Sequence, residues 1–295
     1  MRGILLIGVG AWGDGFYYNL SYNMALSIKL SNKDTQIALL TDDVNLKYLT
    51  DEQKKVFDKV IYVGQDLYME DYKLNPFLLK TKIYDLTPFD ETLYVDSDGL
   101  FVGDKSINDL FEQLSTIDFQ IHEVRRYTKE QASESGMIWT KPKENEPNLF
   151  CQLWEKYNLG EAIYAEYNSS FIWFKKSDAN KIYFDKVKEN YFDRRLEWKA
   201  IGTNYPDEMT WNITTAQLKH YGAIQDYKPC YFEWEHGSKE LEYIKSNCYF
   251  MMMAGGYQIG KLITYYDNLI KGFRNAVGDG TPFRFDMLKK IFFQK

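Results

Sequence analysis

The sequence is poor in the residues that build covalent frameworks and metal clusters. Its 295 residues hold only 3 cysteines and 3 histidines. Cys151, Cys230 and Cys248 are odd in number and show no CxxC spacing. That excludes a disulfide scaffold and a zinc-finger site, and it fits a reducing, cytoplasmic compartment. Positive charge is also in deficit: 36 Lys and Arg stand against 42 Asp and Glu, a net charge of −6. No overall basic field draws the chain onto nucleic acid. No run approaches the roughly 20 apolar residues of a membrane span. The apolar start from Ile4 to Trp12 meets Asp14 too early for a signal peptide and reads as a buried first strand. What is present is a 45% hydrophobic, 26% charged composition able to bury a full core. Aromatic residues make up 17%; such rings fill cores, and they also stack on sugars and bases.

Strand and helix patterns alternate through the first half. Gly3–Val9 is a continuous apolar run, as expected of a parallel strand buried on both faces. Phe16–Leu30 carries helical spacing, Thr35–Leu40 reads as a second strand ending in Thr41-Asp42-Asp43, and a polar helix is expected from Asn45 to Phe57. Lys59–Val63 is a third strand. Pro76 opens a helix expected to turn Phe77, Leu78, Ile83 and Leu86 inward, and Thr92–Val95 is a fourth strand. Strands separated by helices imply right-handed crossovers and a mainly parallel α/β sheet. Further on, Ser106–Leu114 reads as a helix and Phe119–Val124 as a strand. Ala162–Phe174 reads as a strand interrupted at Asn168-Ser169-Ser170, and helices are expected at Ser177–Leu196, Glu208–Leu218 and Gln258–Gly272. Thr128–Asn148 reads as a long surface loop, a candidate lid. With no repeat and no flexible linker, residues 1–295 read as a single domain, with a nucleotide-binding half over 1–104 and an acceptor half over 105–295.

Two motifs carry chemistry. Gly8-Val9-Gly10-Ala11-Trp12-Gly13 is a GxGxxG between a strand and a helix, the pattern of a dinucleotide turn. Trp12 is bulky for such a turn, and Asp42 lies 29 residues past Gly13, where the fingerprint wants an acid about 20 on. The glycines still place a tight turn at the carboxyl edge of the sheet, where ligands of open α/β folds bind. The second motif is Asp96-Ser97-Asp98, set between the apolar segments Leu93–Val95 and Leu100–Val102. Side chains at i and i+2 of an extended segment point the same way, so the two carboxylates converge. Like charges at the edge of a core call for a cation between them, and hard oxygen ligands suit Mn²⁺ or Mg²⁺.

The stretch from Leu79 to Leu110 resembles the metal-binding core of the GT-A glycosyltransferases, in particular the retaining, glycogenin-like family 8. The residues that carry the resemblance are Lys80, the strand Thr92–Val95, Asp96-Ser97-Asp98, Leu100–Val102 and Asn108-Asp109-Leu110-Phe111, with Val56–Ile61 upstream. Beyond about residue 115 it continues as islands. Tyr167-Asn168-Ser169-Ser170-Phe171 is similar to the family's FNSG, with Ser170 in place of the glycine. Pro206-Asp207-Glu208 leads a helix, and His236-Gly237-Ser238-Lys239 is similar to a late histidine segment. The resemblance implies a GT-A fold and sugar transfer from a nucleotide-diphosphate sugar, a UDP-sugar by preference, with retention. It implies Mn²⁺ or Mg²⁺ on Asp96, Asp98 and His236, and donor-sugar contacts from Asn168 and Ser169. Asp207 is implied at the catalytic site, where the bland alternative is a helix N-cap. Lys80 and Lys239 are implied at the phosphates. Gly8, Val9, Gly10, Trp12, Asp42 and Ser97 would line the nucleotide. His122 and His220, in or beside expected strands, read as structural, with His220 the alternative to His236 as the metal histidine.

The acceptor is not legible. Arg125-Arg126-Tyr127, with Trp139, Lys141 and Lys143, forms a candidate basic-aromatic patch suited to an anionic glycan or, as the minority reading, to a modified DNA base. Two other classes stand beside the transferase: an NAD- or SAM-dependent enzyme built on the GxGxxG, and a binding module without catalysis.

Overall fold

The computed structural model describes residues 1–10, 16–70, 73–128, 130–131, 157–200, 207–253 and 261–281. Trp12, Trp139, Lys141, Lys143 and most of the expected 128–148 loop lie outside the described residues.

The first half folds as its alternating pattern requires. β1 (Arg2–Gly8) leads into α1 (Phe16–Ser31), and β2 (Ile37–Thr41) follows. Two four-residue helices, α2 (Asp43–Leu46) and α3 (Asp51–Lys54), occupy the stretch where one helix was expected. Each has its own cap: Asp42 accepts the Asn45 amide, and Thr50 forms a capping box with Gln53. The second cap restarts the backbone and so splits the helix. β3 (Lys59–Tyr62), the short hairpin β4 (Met69–Glu70) and β5 (Lys73–Leu74), α4 (Pro76–Lys80) and α5 (Ile83–Leu86) come next. Here too one expected helix is two. Leu78 and Ile83 face the core as expected, whereas Phe77 is exposed.

β6 (Glu91–Val95) and β7 (Gly99–Phe101) flank the acidic turn, and α6 (Ile107–Ser115) is capped by Ser106. β8 (Phe119–Tyr127) and β9 (Tyr164–Lys175) form a long antiparallel pair. α7 (Asp178–Ala200) and α8 (Glu208–Leu218) follow, and α8 matches its expected bounds. β10 (Cys230–Tyr231), α9 (Glu233–His236), α10 (Leu241–Asn247), β11 (Phe250–Met252) and α11 (Lys261–Ala276) complete the described chain.

The main sheet has the order β3-β2-β1-β6-β9-β8. β3, β2, β1 and β6 are parallel, and β9 runs against both of its neighbours. Its two faces read directly from the period of two. Ile4, Leu6, Ile37, Leu39, Leu93, Val95, Phe171 and Trp173 join one buried cluster. Leu5, Ile7, Ala38, Leu40, Tyr94, Ile172 and Phe174 join the other. A second, three-stranded sheet, β10-β11-β7, packs with α11 in a third cluster around Leu100, Met251, Tyr266 and Ile270. Only part of β9 pairs with β6. The ladder runs from Lys175 to Phe171, opposite Glu91 to Val95, so Tyr164–Ser170 extends past the carboxyl end of β6. Among the described residues no helix is long and apolar enough to cross a membrane.

Candidate active site

The acidic turn leaves β6 at this overhang. Asp96 donates its amide to Ser170 O at 2.9 Å, and Asp98 O accepts the Met253 amide at 2.8 Å. Between them Ser97 turns inward. Its hydroxyl donates to Ile7 O at 2.7 Å and accepts from Ser21 at 3.0 Å. Asp96 and Asp98 on either side of it are half-buried. Ser97, expected to line the nucleotide, instead ties the turn to β1.

Four of the expected residues meet here. The Lys80 ammonium, at the end of α4, lies 2.9 Å from the Asp96 carboxylate, 3.1 Å from Ser169 Oγ and 3.9 Å from Asp207 Oδ1. Ser169 is fully buried on β9, and Ser170 beside it donates to Asp96 Oδ2 at 2.8 Å. Tyr94 also donates to Asp96. Burial alone would lower the Lys80 pKa, but Asp207, Asp96 and Glu208 outweigh it and hold the amine firmly charged. Burial beside both carboxylates pushes the Tyr17 hydroxyl up to about 12.

Asp207 occupies the N-cap position of α8, where its carbonyl accepts the Thr210 and Trp211 amides, but its carboxylate makes no cap bond and is fully buried. Oδ2 accepts Trp211 Nε1 at 2.8 Å, and Oδ1 faces Lys80 with no hydrogen-bond donor in reach among the described residues. A buried acceptor left without a donor is costly unless a ligand supplies one. The N-cap expectation holds for the backbone of Asp207 and fails for its side chain. Glu208, which was not assigned a role from sequence, stands next to it. Burial, reinforced by the Asp207 charge and opposed by Lys80, raises its carboxyl to about 8. The only sequence signal for it was its place beside Asp207.

Other expected residues lie elsewhere or have different work. Asp42 is buried, and its oxygens accept the Gly10 amide at 2.9 Å, the Asn45 amide and side chain at 2.8 Å each, and the Tyr68 hydroxyl. Burial alone would raise its pKa, but these donors lower it. It braces the Gly8–Gly10 turn from behind. Gly10 sits at φ +95°, and a side chain on Gly8 would collide with Ser21 Oγ at 2.6 Å. Val9 is buried in the same turn. Asn168 accepts the Ser170 amide at 2.9 Å, and β9 bulges there: Ile121 and His122 of β8 pair with Ile172 and Asn168, so Ser169–Phe171 drop out of the β8 ladder.

The His236 ring stacks on Tyr231 at 5.3 Å, with Nδ1 3.1 Å from Phe232 O. Lys239 is exposed, with its amine over the Tyr243 ring. Among the described residues no three His, Cys, Asp or Glu side chains are placed to share an ion. The expected trio of Asp96, Asp98 and His236 is thus not assembled, because the His236 ring is held by its own helix and by Tyr231. His220 follows α8 rather than lying in a strand, and it packs against Phe119 and Tyr183 with Nε2 2.8 Å from Asn180. Of the expected basic patch, only Arg125, Arg126 and Tyr127 lie among the described residues. Arg125 pairs with buried Glu166 at 2.8 Å, and Arg126 pairs with buried Glu123 at 2.6 Å. Both arginines are thus engaged in ion pairs with buried glutamates.

No protein-family model matches the chain, and no curated protein sequence matches it. Solved structures do. The galactosyltransferase LgtC, solved with donor and acceptor sugar analogs, is similar over 98% of this chain and 100% of its own, with a TM-score of 0.52 at 13% identity. Mouse xyloside xylosyltransferase 1 matches over 88% of this chain and 100% of its own, with a TM-score of 0.52 at 11% identity. The chain has the GT-A glycosyltransferase fold. The bifunctional glycosyltransferase WbbM shares that GT-A fold over 98% of this chain and 51% of its own, with a TM-score of 0.53 at 12% identity.

Proposed function

We propose that this protein transfers a sugar from a nucleotide-diphosphate sugar, a UDP-sugar by preference, to a sugar-bearing acceptor. The observation that supports this best is the meeting of Lys80, Asp96, Ser169 and Asp207 at the carboxyl edge of the parallel strands. A charged amine, a buried hydroxyl and a buried acceptor without a donor are the groups that orient a sugar by its hydroxyls. In this reading Asp207 Oδ1 accepts a donor-sugar hydroxyl, and Trp211 holds the carboxylate in place for it. Lys80 offsets negative charge that gathers on the departing diphosphate. Ser169 and Asn168 border the sugar, and the braced Gly8–Gly10 turn borders the nucleoside. Lys239 is proposed as a further phosphate contact.

Asp96 and Asp98 offer hard oxygen donors, which fit Mn²⁺ or Mg²⁺, and we assign the ion to this pair without His236. When bound, the ion serves as a Lewis acid toward the leaving nucleoside diphosphate. Retention is proposed from the resemblance alone. The dinucleotide reading loses its acidic residue, because Asp42 is already engaged by Gly10, Asn45 and Tyr68. The test is nucleotide release from a panel of nucleotide sugars, with Mn²⁺ and with EDTA. Metal-dependent release from at least one donor is expected, and full activity in EDTA overturns the metal assignment.

A further inference from the structure

Two walls border the acidic turn. One is the β9 overhang, where Ser170 grips Asp96 by side chain and backbone. The other is the second sheet, where the residue after β11, Met253, donates its amide to Asp98 O. A buried polar chain joins these walls. His122 on β8 is fully buried and sits opposite Asn168 in the ladder, just past a bulge. Its Nε2 lies 3.0 Å from Glu235 Oε2 on α9, the helix that continues from β10. Phe232 packs edge-on against the imidazole at 5.1 Å. The other Glu235 oxygen takes the Lys228 amine, which also donates to Val124 O on β8 at 2.7 Å.

Burial alone would raise Glu235, yet His122 and Lys228 outweigh it and keep the carboxylate charged. Burial holds His122 low, so a neutral ring donates from Nε2. Buried hydrogen bonds to a charged group are among the stronger ones, and they fix geometry as well as energy.

We infer that His122 and Glu235 are positioning residues that set the distance between the two walls, and hence between the Asp96 and Asp98 sides of the donor site. This inference rests on the nucleotide-sugar reading for its functional consequence, and on the His122–Glu235 contact for its structural one. A site whose supporting groups loosen by an ångström loses binding and rate.

The experiment uses the full chain with three variants. His122→Phe keeps the ring against Phe232 but removes the donor. Glu235→Gln keeps the volume and loses the charge. His122→Gln returns an N–H near the place of Nε2. Amide hydrogen exchange across Phe232–Lys239 is followed first, because it needs no substrate. Exchange there speeds up about tenfold in His122→Phe and Glu235→Gln while β1 and β2 stay protected, and it recovers in His122→Gln. The donor KM, or the UDP affinity with Mn²⁺, weakens about tenfold with kcat within about twofold, and recovers in the same variant. Unchanged exchange in both loosening variants overturns the strut. Faster exchange with unaltered UDP affinity overturns the positioning role. A wild-type protein that binds no UDP instead removes the transferase reading, and the exchange result still decides the strut.

Discussion

Lys80 is the side chain on which the candidate site turns. Its ammonium is 9% exposed and stands between Asp96 and Asp207, with Glu208 also in its field. Removing one partner of a buried ion pair strands the other, at a cost of about 3–5 kcal/mol. Lys80→Met is therefore expected to lower stability by that order in chemical denaturation, and to abolish sugar transfer. An equally stable variant contradicts the network. Asp98→Asn is expected to reduce turnover by about a hundredfold or more, the scale of losing a key charge-stabilising group. Steady-state kinetics at saturating Mn²⁺ measure it.

Glu208 gives a prediction with a sign. Its carboxyl is raised from 4.5 to about 8, so the folded protein holds that proton more tightly than the unfolded chain does. The stability this contributes is fully present below pH 4.5 and is lost as pH rises through about 8. Glu208→Gln should thus gain melting temperature relative to wild type as pH rises from 5 to 9, and a gap that does not change with pH contradicts the assignment. Of these residues, Lys80, Asp96 and Asp207 were visible in the sequence. Asp96 stood in an acidic pair beside an apolar strand, and the other two were reached only through the family resemblance. Tyr94, Ser170 and Trp211 were not, because an apolar strand, a serine turn and a helix interior hide a hydrogen bond aimed at another element.

At the scale of elements, legibility followed the strength of the period. α8 and α1 repeat over several turns, and their limits were readable. The second sheet was not, because β7, β10 and β11 are two or three residues long and carry no alternation. The interruption expected at Asn168–Ser170 is visible in the pairing: Ser169 and Ser170 are in neither the β6 nor the β8 register, and the strand resumes its β8 partners at Asn168. The second sheet is nevertheless what carries Asp98. A Cβ at Gly99 would meet Met252 Sδ at 2.5 Å and Met251 O at 2.7 Å. Gly99→Ala should cost about 1–3 kcal/mol through this overpacking, and should weaken UDP binding by displacing the turn. Denaturant titration and calorimetry check the two effects; a neutral substitution contradicts the packing of β7 on β11.

Across the whole molecule, the donor-side strands do not close on themselves. β6 is covered by β9, and β7 by β11, both from the second half of the chain. Residues 1–104 alone would expose these edges and half of the acidic turn's supports. A 1–104 fragment, the proposed nucleotide-binding half, is therefore expected to show no cooperative unfolding. The same arrangement explains why the candidate site forms where it does: β9 overhangs the parallel strands and brings Ser169 and Ser170 to Lys80 and Asp96. The most direct measurement of the central claim is calorimetric titration of the wild-type protein with UDP in the presence and absence of Mn²⁺, with NAD and S-adenosylmethionine as comparisons. Binding of UDP that requires Mn²⁺ and is lost in Asp98→Asn is the predicted result. Binding of NAD or S-adenosylmethionine with no response to UDP would contradict it.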